Sequence, residues 1–403
     1  MNPKHIVIIG AGPAGLMAAD ILSAAGVRVD IYEANRSVGR KFLIAGKGGM
    51  NITHSEPAQD FIGNYDKPDW LKPMVDQFDA NKIIVWMKNL GIDSFIGTSG
   101  RVFPTDMKAA PLLRKWLSTL KLQGVKVHCG HTWSGFSDTG KLRFTTKNEE
   151  LHVACDGTLL ALGGASYPHL GSNGQWVSLL ADKGIEISPL LPSNCGFNVS
   201  WSSHMAHYFG QPLKNIHAWV SGGGRKEGEI LLSSYGIEGG LAYTHSRALR
   251  EELIKTGNAM LYVDLMPHIS QNHLISRLTP SGKQTLSNTW RKAGLDHIKG
   301  SLIRESLSKE KWNDASSVAT YVKNYPLKIT GMQPIEGAIS SAGGVKRDAL
   351  DRNLMLHALP NVFCAGEMLD WDAPTGGYLL TGCFASGVYA ARGILQMLNF
   401  RSL

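Results

Sequence analysis

A strand, a glycine turn and a helix open the chain, and no other feature constrains its fold as tightly. In His5-Ile6-Val7-Ile8-Ile9-Gly10-Ala11-Gly12-Pro13-Ala14-Gly15, an apolar run of strand length meets the spacing G-x-G-x-x-G. Leu16, Ala19, Leu22 and Ala25 then recur at helical spacing, and Gly26 stops the pattern. Val27-Arg28-Val29-Asp30-Ile31-Tyr32-Glu33 alternates as a second strand and ends on an acid. Each residue type has a task in a dinucleotide-binding unit. Gly10 permits the tight turn, Gly12 lets the backbone approach a pyrophosphate, and Gly15 lets helix and strand pack closely. The helix N-terminus offers free N–H groups and a partial positive charge to the phosphates. Glu33 falls where a carboxylate accepts ribose hydroxyls, which disfavours a 2′-phosphate at that point.

With 403 residues the chain has enough length for two or three domains. Its formal net charge of +8 would suit acidic substrates, nucleic acid or an anionic membrane. The basic groupings are short or mixed, however (Arg225-Lys226, Lys309-Glu310-Lys311, Lys346-Arg347), as on an ordinary charged surface. Cys129, Cys155, Cys195, Cys364 and Cys383 are odd in number, far apart and never C-x-x-C. That argues against a disulfide framework, a zinc site and a redox dithiol. His204 and His207 have a metal-ligand spacing but no third ligand, so no metal is expected. No apolar stretch reaches membrane-spanning length, and the N-terminal apolar segment is the nucleotide strand itself, without a cationic leader. A cytoplasmic protein without a membrane partner is expected.

A glycine- and cation-rich loop follows Glu33, from Gly39 through Lys47-Gly48-Gly49-Met50-Asn51 to His54. Such a loop can lie against a flat or phosphorylated ligand, because glycine removes bulk and exposes N–H groups. Helical stretches are expected around Trp70–Asn89 and Lys108–Gln123, with Gly100–Pro104 between them. Val125–His128 reads as a strand, His131–His152 as a β-meander, and Thr158–Gly164 as a buried strand ending in a glycine turn. From about Pro189 the character changes. Ala218–Gly222 and Glu229–Leu232 suggest antiparallel strands, with Gly222-Gly223-Gly224 as a hairpin turn, and Ser270–Tyr325 looks helical and polar. No second strand–G-x-G-x-x-G–helix unit occurs. Near Ile335 the opening style returns. The simplest organisation is a discontinuous nucleotide domain, 1–190 with 335–403. It is interrupted by an insert, 191–334, that is β-rich over about 191–269 and helical over about 270–330.

The returning segment carries its own chemistry. Asn361–Glu367 is a strand ending in glycine and an acid, placed where a carboxylate can hold the hydroxyls of a ribityl chain. A helix starting at Gly376-Gly377 can aim its N-terminus at a ring that becomes anionic on reduction, a contribution of about 0.3–1 kcal/mol, and up to about 2 when partly buried. The chain through Glu33 resembles the FAD fingerprint of glutathione-reductase-type flavoproteins. Gly39–Thr53, Gly100–Pro104, Leu162–Pro168, Gly343-Gly344-Val345 and Gly366–Gly387 more specifically resemble the BaiN/YhiN-type NAD(P)/FAD-dependent oxidoreductases, a family that includes aminoacetone oxidase. The resemblance spans nearly the whole chain and is weakest over the insert.

It implies an α/β fold: a Rossmann-type, glutathione-reductase-like FAD-binding domain interrupted by a β-rich insert with a helical subdomain. It also implies non-covalent FAD contacts at Gly10, Gly12, Ala14, Gly15, Glu33, Arg40 and Lys41. Further contacts fall at Asn51, Val127, Gly163, Gly366, Glu367 and the helix start Gly377, Tyr378, Leu379, Leu380. Pro13, Ala34, Gly48, Gly49, Met50 and Ala161 beside them complete the candidate set. Two positions depart from the family pattern. Gly49-Met50 stands where much of the family has an arginine–cysteine pair, and Leu162 replaces a threonine. The first removes a charge and a thiol from near the ring, so reactivity does not carry over.

The expected activity is an FAD-dependent oxidoreductase passing hydride between flavin N5 and a small substrate. Two half-reactions compete: reduction by NAD(P)H followed by an acceptor such as an unsaturated carbonyl compound, or oxidation of a small amine or aminoketone with O₂. The absence of a second dinucleotide fingerprint leaves NAD(P)H without a dedicated domain. An RNA-modifying flavoprotein is the alternative of another class, and it calls for a basic stripe with exposed aromatics that the sequence does not display. Lys47 and Trp371 are the candidate substrate contacts. Cys383 reads as a structural thiol, and no catalytic acid or base is assigned.

Overall fold

Five short strands set the frame of the first part of the molecule: β1 (His5–Ile9), β2 (Arg28–Glu33), β3 (Lys126–Cys129), β4 (Gly157–Leu160) and β5 (Val362–Cys364). They form one sheet in the order β5-β4-β1-β2-β3, with every pair parallel. The computed structural model describes residues 4–45, 48–280 and 284–400. β1 is buried from Ile6 to Ile9, as expected of an inner strand covered on both faces. Helix α1 (Pro13–Ala24) follows β1 directly, with Pro13 in the first turn, where a missing N–H costs nothing. At its end Gly26 turns left-handed (φ +83°), and the Val27 and Gly26 N–H groups close onto the Leu22 and Ser23 carbonyls.

The long helix α2 (Tyr378–Met397) lies against α1. Small residues let the two backbones approach: a Cβ on Gly387 would sit 2.4 Å from the Ala14 carbonyl oxygen. α2 is the longest helix described, and no described helix is long and apolar enough to cross a membrane.

Two expected boundaries move. The helical stretch over 70–89 is two helices, Pro68–Gln77 and Ala80–Asn89. Asp79 starts the second by accepting the Lys82 N–H at 2.9 Å, a cap that interrupts the helix. The strand expected over 361–367 stops at Cys364, and Gly366–Met368 turns back as one 3₁₀ turn. The meander is present as Thr132–Phe136, Leu142–Thr145 and Glu150–Val153.

The chain divides into two compact units, Met1–Pro192 with Ile339–Leu403, and Ser193–Ala338. The second unit has its own apolar core and a seven-stranded sheet. Its long hairpin, Pro212–Val220 with Lys226–Ser233, turns through Gly222 at φ +76°. Four of its helices, beginning at Gln271, Leu286, His297 and Ala315, are each N-capped by a side chain: Ser270, Thr285, Asp296 and Asp314. That capping explains how a polar stretch still folds as helices.

Candidate functional site

The three glycines of the opening turn serve different ends. Gly10 has φ +104°, and a Cβ there would lie 2.2 Å from the Ala161 carbonyl oxygen. A Cβ on Gly15 would lie 2.1 Å from the Gly10 carbonyl oxygen. Both are demanded by the chain's own packing. Gly12 is different: its φ is −87°, open to any residue, and an added Cβ would meet nothing within 4 Å. It faces a cavity of about 140 Å³ whose walls also include Pro13, Ala14, Glu33, Ala34, Arg40, Ala161 and Gly163.

Glu33 is anchored at the end of β2. Its Oε2 accepts the Ala11 N–H at 3.0 Å, and its Oε1 accepts both the backbone N–H and the Nδ2 of Asn35 at 2.8 Å. Arg40 donates from Nη1 to Asn35 Oδ1 at 2.7 Å. Arg40 therefore supports the acid through Asn35 and does not touch it. Trp133 Nε1 and Ser172 Oγ, on residues of the same wall, are buried without a hydrogen-bond partner. Buried polar atoms are ordinarily paired, so two orphans on one cavity suit a polar ligand there, although Trp116 Nε1, Ser134 Oγ and Arg143 Nε, on residues lining neither this cavity nor its neighbour, are orphaned as well.

A second cavity of about 510 Å³ shares Pro13, Lys41, Phe42, Glu367 and Cys383 with the first. Asn51, Tyr167, Arg101, Gly377, Leu379 and Leu380 are among its other walls. Lys41 sits where the two meet. Its Nζ donates to Glu367 Oε2 at 2.7 Å and to Ser166 Oγ at 2.6 Å, and Glu367 Oε1 also accepts the Ser341 N–H at 3.0 Å. Asn51 donates from Nδ2 to the Thr53 and Val102 carbonyls, yet its Oδ1 is buried and unpartnered.

The start of α2 reaches this cavity because Gly377 (φ +95°) presses onto Thr53, where a Cβ would come within 2.5 Å of backbone. A Thr53–Thr381 hydroxyl contact at 2.8 Å fastens the join. The Cys383 thiol faces both cavities, and burial, aided by the Glu367 carboxylate, pushes its pKa up to about 12. It is a neutral thiol at physiological pH.

The proposed cofactor positions thus gather mostly around two joined cavities, with Gly366 and Glu367 on the first and Gly49, Asn51, Gly377, Leu379 and Leu380 on the second. Gly15, Gly48, Met50, Val127 and Tyr378 line neither. Met50 is fully buried, and Val127 pairs with Ile31 in the sheet while remaining 38% exposed. The Tyr378 side chain turns inward and donates its hydroxyl to Glu56 at 2.6 Å. Trp371 needs a correction as a substrate contact. It is 2% exposed, donates its indole N–H to the Gly366 carbonyl at 3.0 Å and fills the space beside Gly382. It is a core residue that lines neither cavity. Lys47 lies outside the described residues.

His204 and His207 fall on a 3₁₀ segment, Ser203–Tyr208, with His204 engaged by Ser202 and Glu305. Among the described residues no group of three or more His, Cys, Asp or Glu side chains is placed to hold a metal ion. Sequence reasoning missed Asn35, Trp133, Ser172, Arg101 and Tyr167 as wall residues. The last two stand inside motifs already singled out, which was the only signal available.

The family model described as the HI0933-like protein Rossmann domain matches residues 4–393. A 3-dehydro-bile acid delta(4,6)-reductase of Clostridium scindens is 24% identical, covering 98% of this chain and 99% of that protein. A ribosomal RNA dihydrouridine synthase of Escherichia coli is 22% identical, covering 98% and 99%. Among solved structures, the open conformation of a flavocytochrome c3 fumarate reductase superposes with a TM-score of 0.52 at 14% identity, covering 98% of this chain and 79% of that one. That likeness concerns the fold. Matched along nearly its whole length, the chain belongs to the HI0933-like Rossmann-domain family and is an FAD-dependent oxidoreductase.

Proposed function

We propose that this protein is a reductase that adds hydride to a carbon–carbon double bond conjugated to a carbonyl, with NAD(P)H as the electron donor. The observation that carries the FAD site is the run of orphaned polar atoms, Trp133 Nε1, Ser172 Oγ and Asn51 Oδ1, along two joined cavities. Glu33 would hold the adenosine ribose, the Gly10–Gly15 turn the pyrophosphate, and Glu367 the ribityl hydroxyls. The Leu379–Leu380 end of α2 and Asn51 would border the ring. When bound, FAD supplies the hydride chemistry; the protein binds, orients and shields it.

The acceptor class is supported by two relatives whose names describe the same change. A delta(4,6)-reductase acting on a 3-dehydro-bile acid and a dihydrouridine synthase both saturate a double bond in conjugation with a carbonyl. Apolar walls at Phe42, Ile44, Ile339, Leu379 and Leu380 suit a flat, weakly polar acceptor. Anaerobic mixing with NADH or NADPH should bleach the bound flavin, and a conjugated enone should restore its colour. Bleaching by small amines instead, with reoxidation by O₂ alone, would replace this reading with the oxidase.

The ribosomal RNA relative, matched over nearly its full length, supports a second reading in which the acceptor is a uracil base within RNA. The formal charge of +8 suits such a partner even without a basic stripe. Salt-dependent RNA binding, together with dihydrouridine formed in a ribosomal RNA fragment, would select it. Absence of binding at low salt removes it.

A further inference from the structure

Tyr167 holds a backbone conformation that its sequence resists. Its φ of +58° and ψ of +60° lie in the left-handed region, where a bulky side chain is uncommon, and Pro168 restricts it further. A conformation of this kind is unfavourable and persists only where the surroundings impose it. Here they do. On one side Ser166 is fully buried and gripped by Lys41, and the Ala165 N–H is held by Ser341 Oγ at 2.8 Å. On the other, the Leu170 N–H closes a tight turn onto the Tyr167 carbonyl at 2.9 Å.

The strain does not serve the core, because Tyr167 belongs to neither apolar cluster. It places the residue on the wall of the 510 Å³ cavity, with a hydroxyl that makes no hydrogen bond to any described residue. Among the described residues, the other polar groups on that wall are engaged or chemically unsuited to give up a proton. Lys41 and Glu367 neutralise each other at 2.7 Å, and the half-buried Cys383 thiol holds its proton more tightly than an ordinary thiol. Asn51 offers only an acceptor oxygen, and Ser340 and Thr375 already have partners. Arg101 makes no hydrogen bond or ion pair through its guanidinium among the described residues, but a guanidinium keeps its proton.

We propose that the Tyr167 hydroxyl is the proton donor in acceptor reduction. When bound and reduced, FAD would supply the hydride that bonds to the β-carbon of the conjugated acceptor. The π electron pair shifts to the α-carbon, and the Tyr167 O–H bond breaks to deliver its proton there. The resulting phenolate recovers a proton from solvent. Arg101 binds the acceptor's electron-rich end without exchanging a proton. This assignment rests on the reductase reading above.

The test uses the FAD-loaded protein, reduced with dithionite so that the identity of the natural donor does not enter. Wild type and Tyr167→Phe are mixed anaerobically with 2-cyclohexen-1-one or a 4-en-3-one steroid, and the return of flavin absorbance is followed in H₂O and D₂O. FAD affinity, the oxidised spectrum and reoxidation by O₂ should match in the two proteins, which shows that the variant is folded and loaded. Enone reoxidation of Tyr167→Phe should fall by about 10²–10⁴, the range a positioned general acid supplies, with loss of the solvent isotope effect. A variant that keeps pace with wild type overturns the role of Tyr167 and leaves the reductase reading intact. A wild-type flavin that neither enone reoxidises overturns both. Transfer of the isotope-sensitive defect to Arg101→Gln, with Tyr167→Phe unaffected, would also overturn the assignment.

Discussion

Replacing Gly12 by alanine should separate the requirements of the ligand from those of the fold. Gly12 caps α1 at φ −87°, ψ −176°, a conformation alanine adopts freely, and the new methyl meets no atom within 4 Å. Two small opposing terms act on the FAD-free protein. Restricting the unfolded chain favours alanine by about 0.4–1 kcal/mol, and glycine's advantage over alanine as an N-cap is of similar size, about 0.5–1 kcal/mol. The melting temperature of the FAD-free protein should therefore hardly move. Gly10→Ala has no such freedom: it combines φ +104° with a 2.2 Å clash against the Ala161 carbonyl. A strained backbone and overpacking cost about 1–3 kcal/mol each. For FAD the order reverses in interest. The Gly12 methyl occupies the cavity wall over which the pyrophosphate would lie, and the loss of one charge-assisted hydrogen bond costs about 1.5–3 kcal/mol. At 1.4 kcal/mol per decade, that weakens FAD binding roughly ten- to 150-fold. Thermal melting of the FAD-free proteins and flavin fluorescence titration measure the two halves. If Gly12→Ala melts as low as Gly10→Ala, or binds FAD as tightly as wild type, the division of labour among the glycines is wrong.

Two further substitutions probe the frame around the site. Asp30 is buried in β2 and accepts His5 Nε2 at 2.7 Å and His128 Nε2 at 2.8 Å, with Arg28 at 3.2 Å. Burial alone would raise its pKa, but the hydrogen bonds from His128 and His5 outweigh it, so the carboxyl titrates below its ordinary range. A lowered folded pKa stabilises above the unfolded value of about 3.9, and that stabilisation is lost as pH falls through the folded value. Asp30→Asn should thus be less stable than wild type at pH 7 by about 2–4 kcal/mol in urea unfolding, with the gap closing below about pH 4. A gap that persists unchanged into strong acid would refute the carboxylate's role. Trp371→Phe should lower the melting temperature, because the Gly366 carbonyl loses its buried donor at a cost of about 1–3 kcal/mol, and should leave the acceptor KM unchanged. A raised KM with unchanged melting would return Trp371 to the substrate pocket.

The proposed adenosine end of the site was legible because its parts are close in sequence. The turn at Gly10, the start of α1 and the acid at Glu33 lie within one βαβ unit, where periodicity and glycine spacing report geometry directly. The proposed ring end draws on Gly49, Asn51, Arg101, Tyr167, Leu379 and Leu380, which only tertiary folding brings together. Loop residues carry no period, so nothing local announces which way Tyr167 or Arg101 points. Trp371 was misplaced for the same reason. An indole next to a glycine-rich helix start is compatible with a pocket wall or with core, and the choice rests on the space left by Gly382 in the following helix.

Glycines themselves are ambiguous in a sequence, since absence of a side chain has several causes. At Gly377 the cause is the Thr53 backbone, 2.5 Å from a would-be Cβ. Its presence is therefore explained by packing, and its value as a sign of a flavin ring is weaker than the motif suggests. Gly10 and Gly15 are likewise accounted for by Ala161 and by Gly10 itself. Gly12 has no such neighbour, and an ordinary φ besides. Within the opening turn it is the residue whose missing side chain the protein leaves unexplained, and a ligand backbone passing over it supplies the reason. The spacing G-x-G-x-x-G thus holds one ligand-facing glycine between two structural ones, and the ligand inference rests on that central position together with Glu33 and the orphaned Trp133 and Ser172.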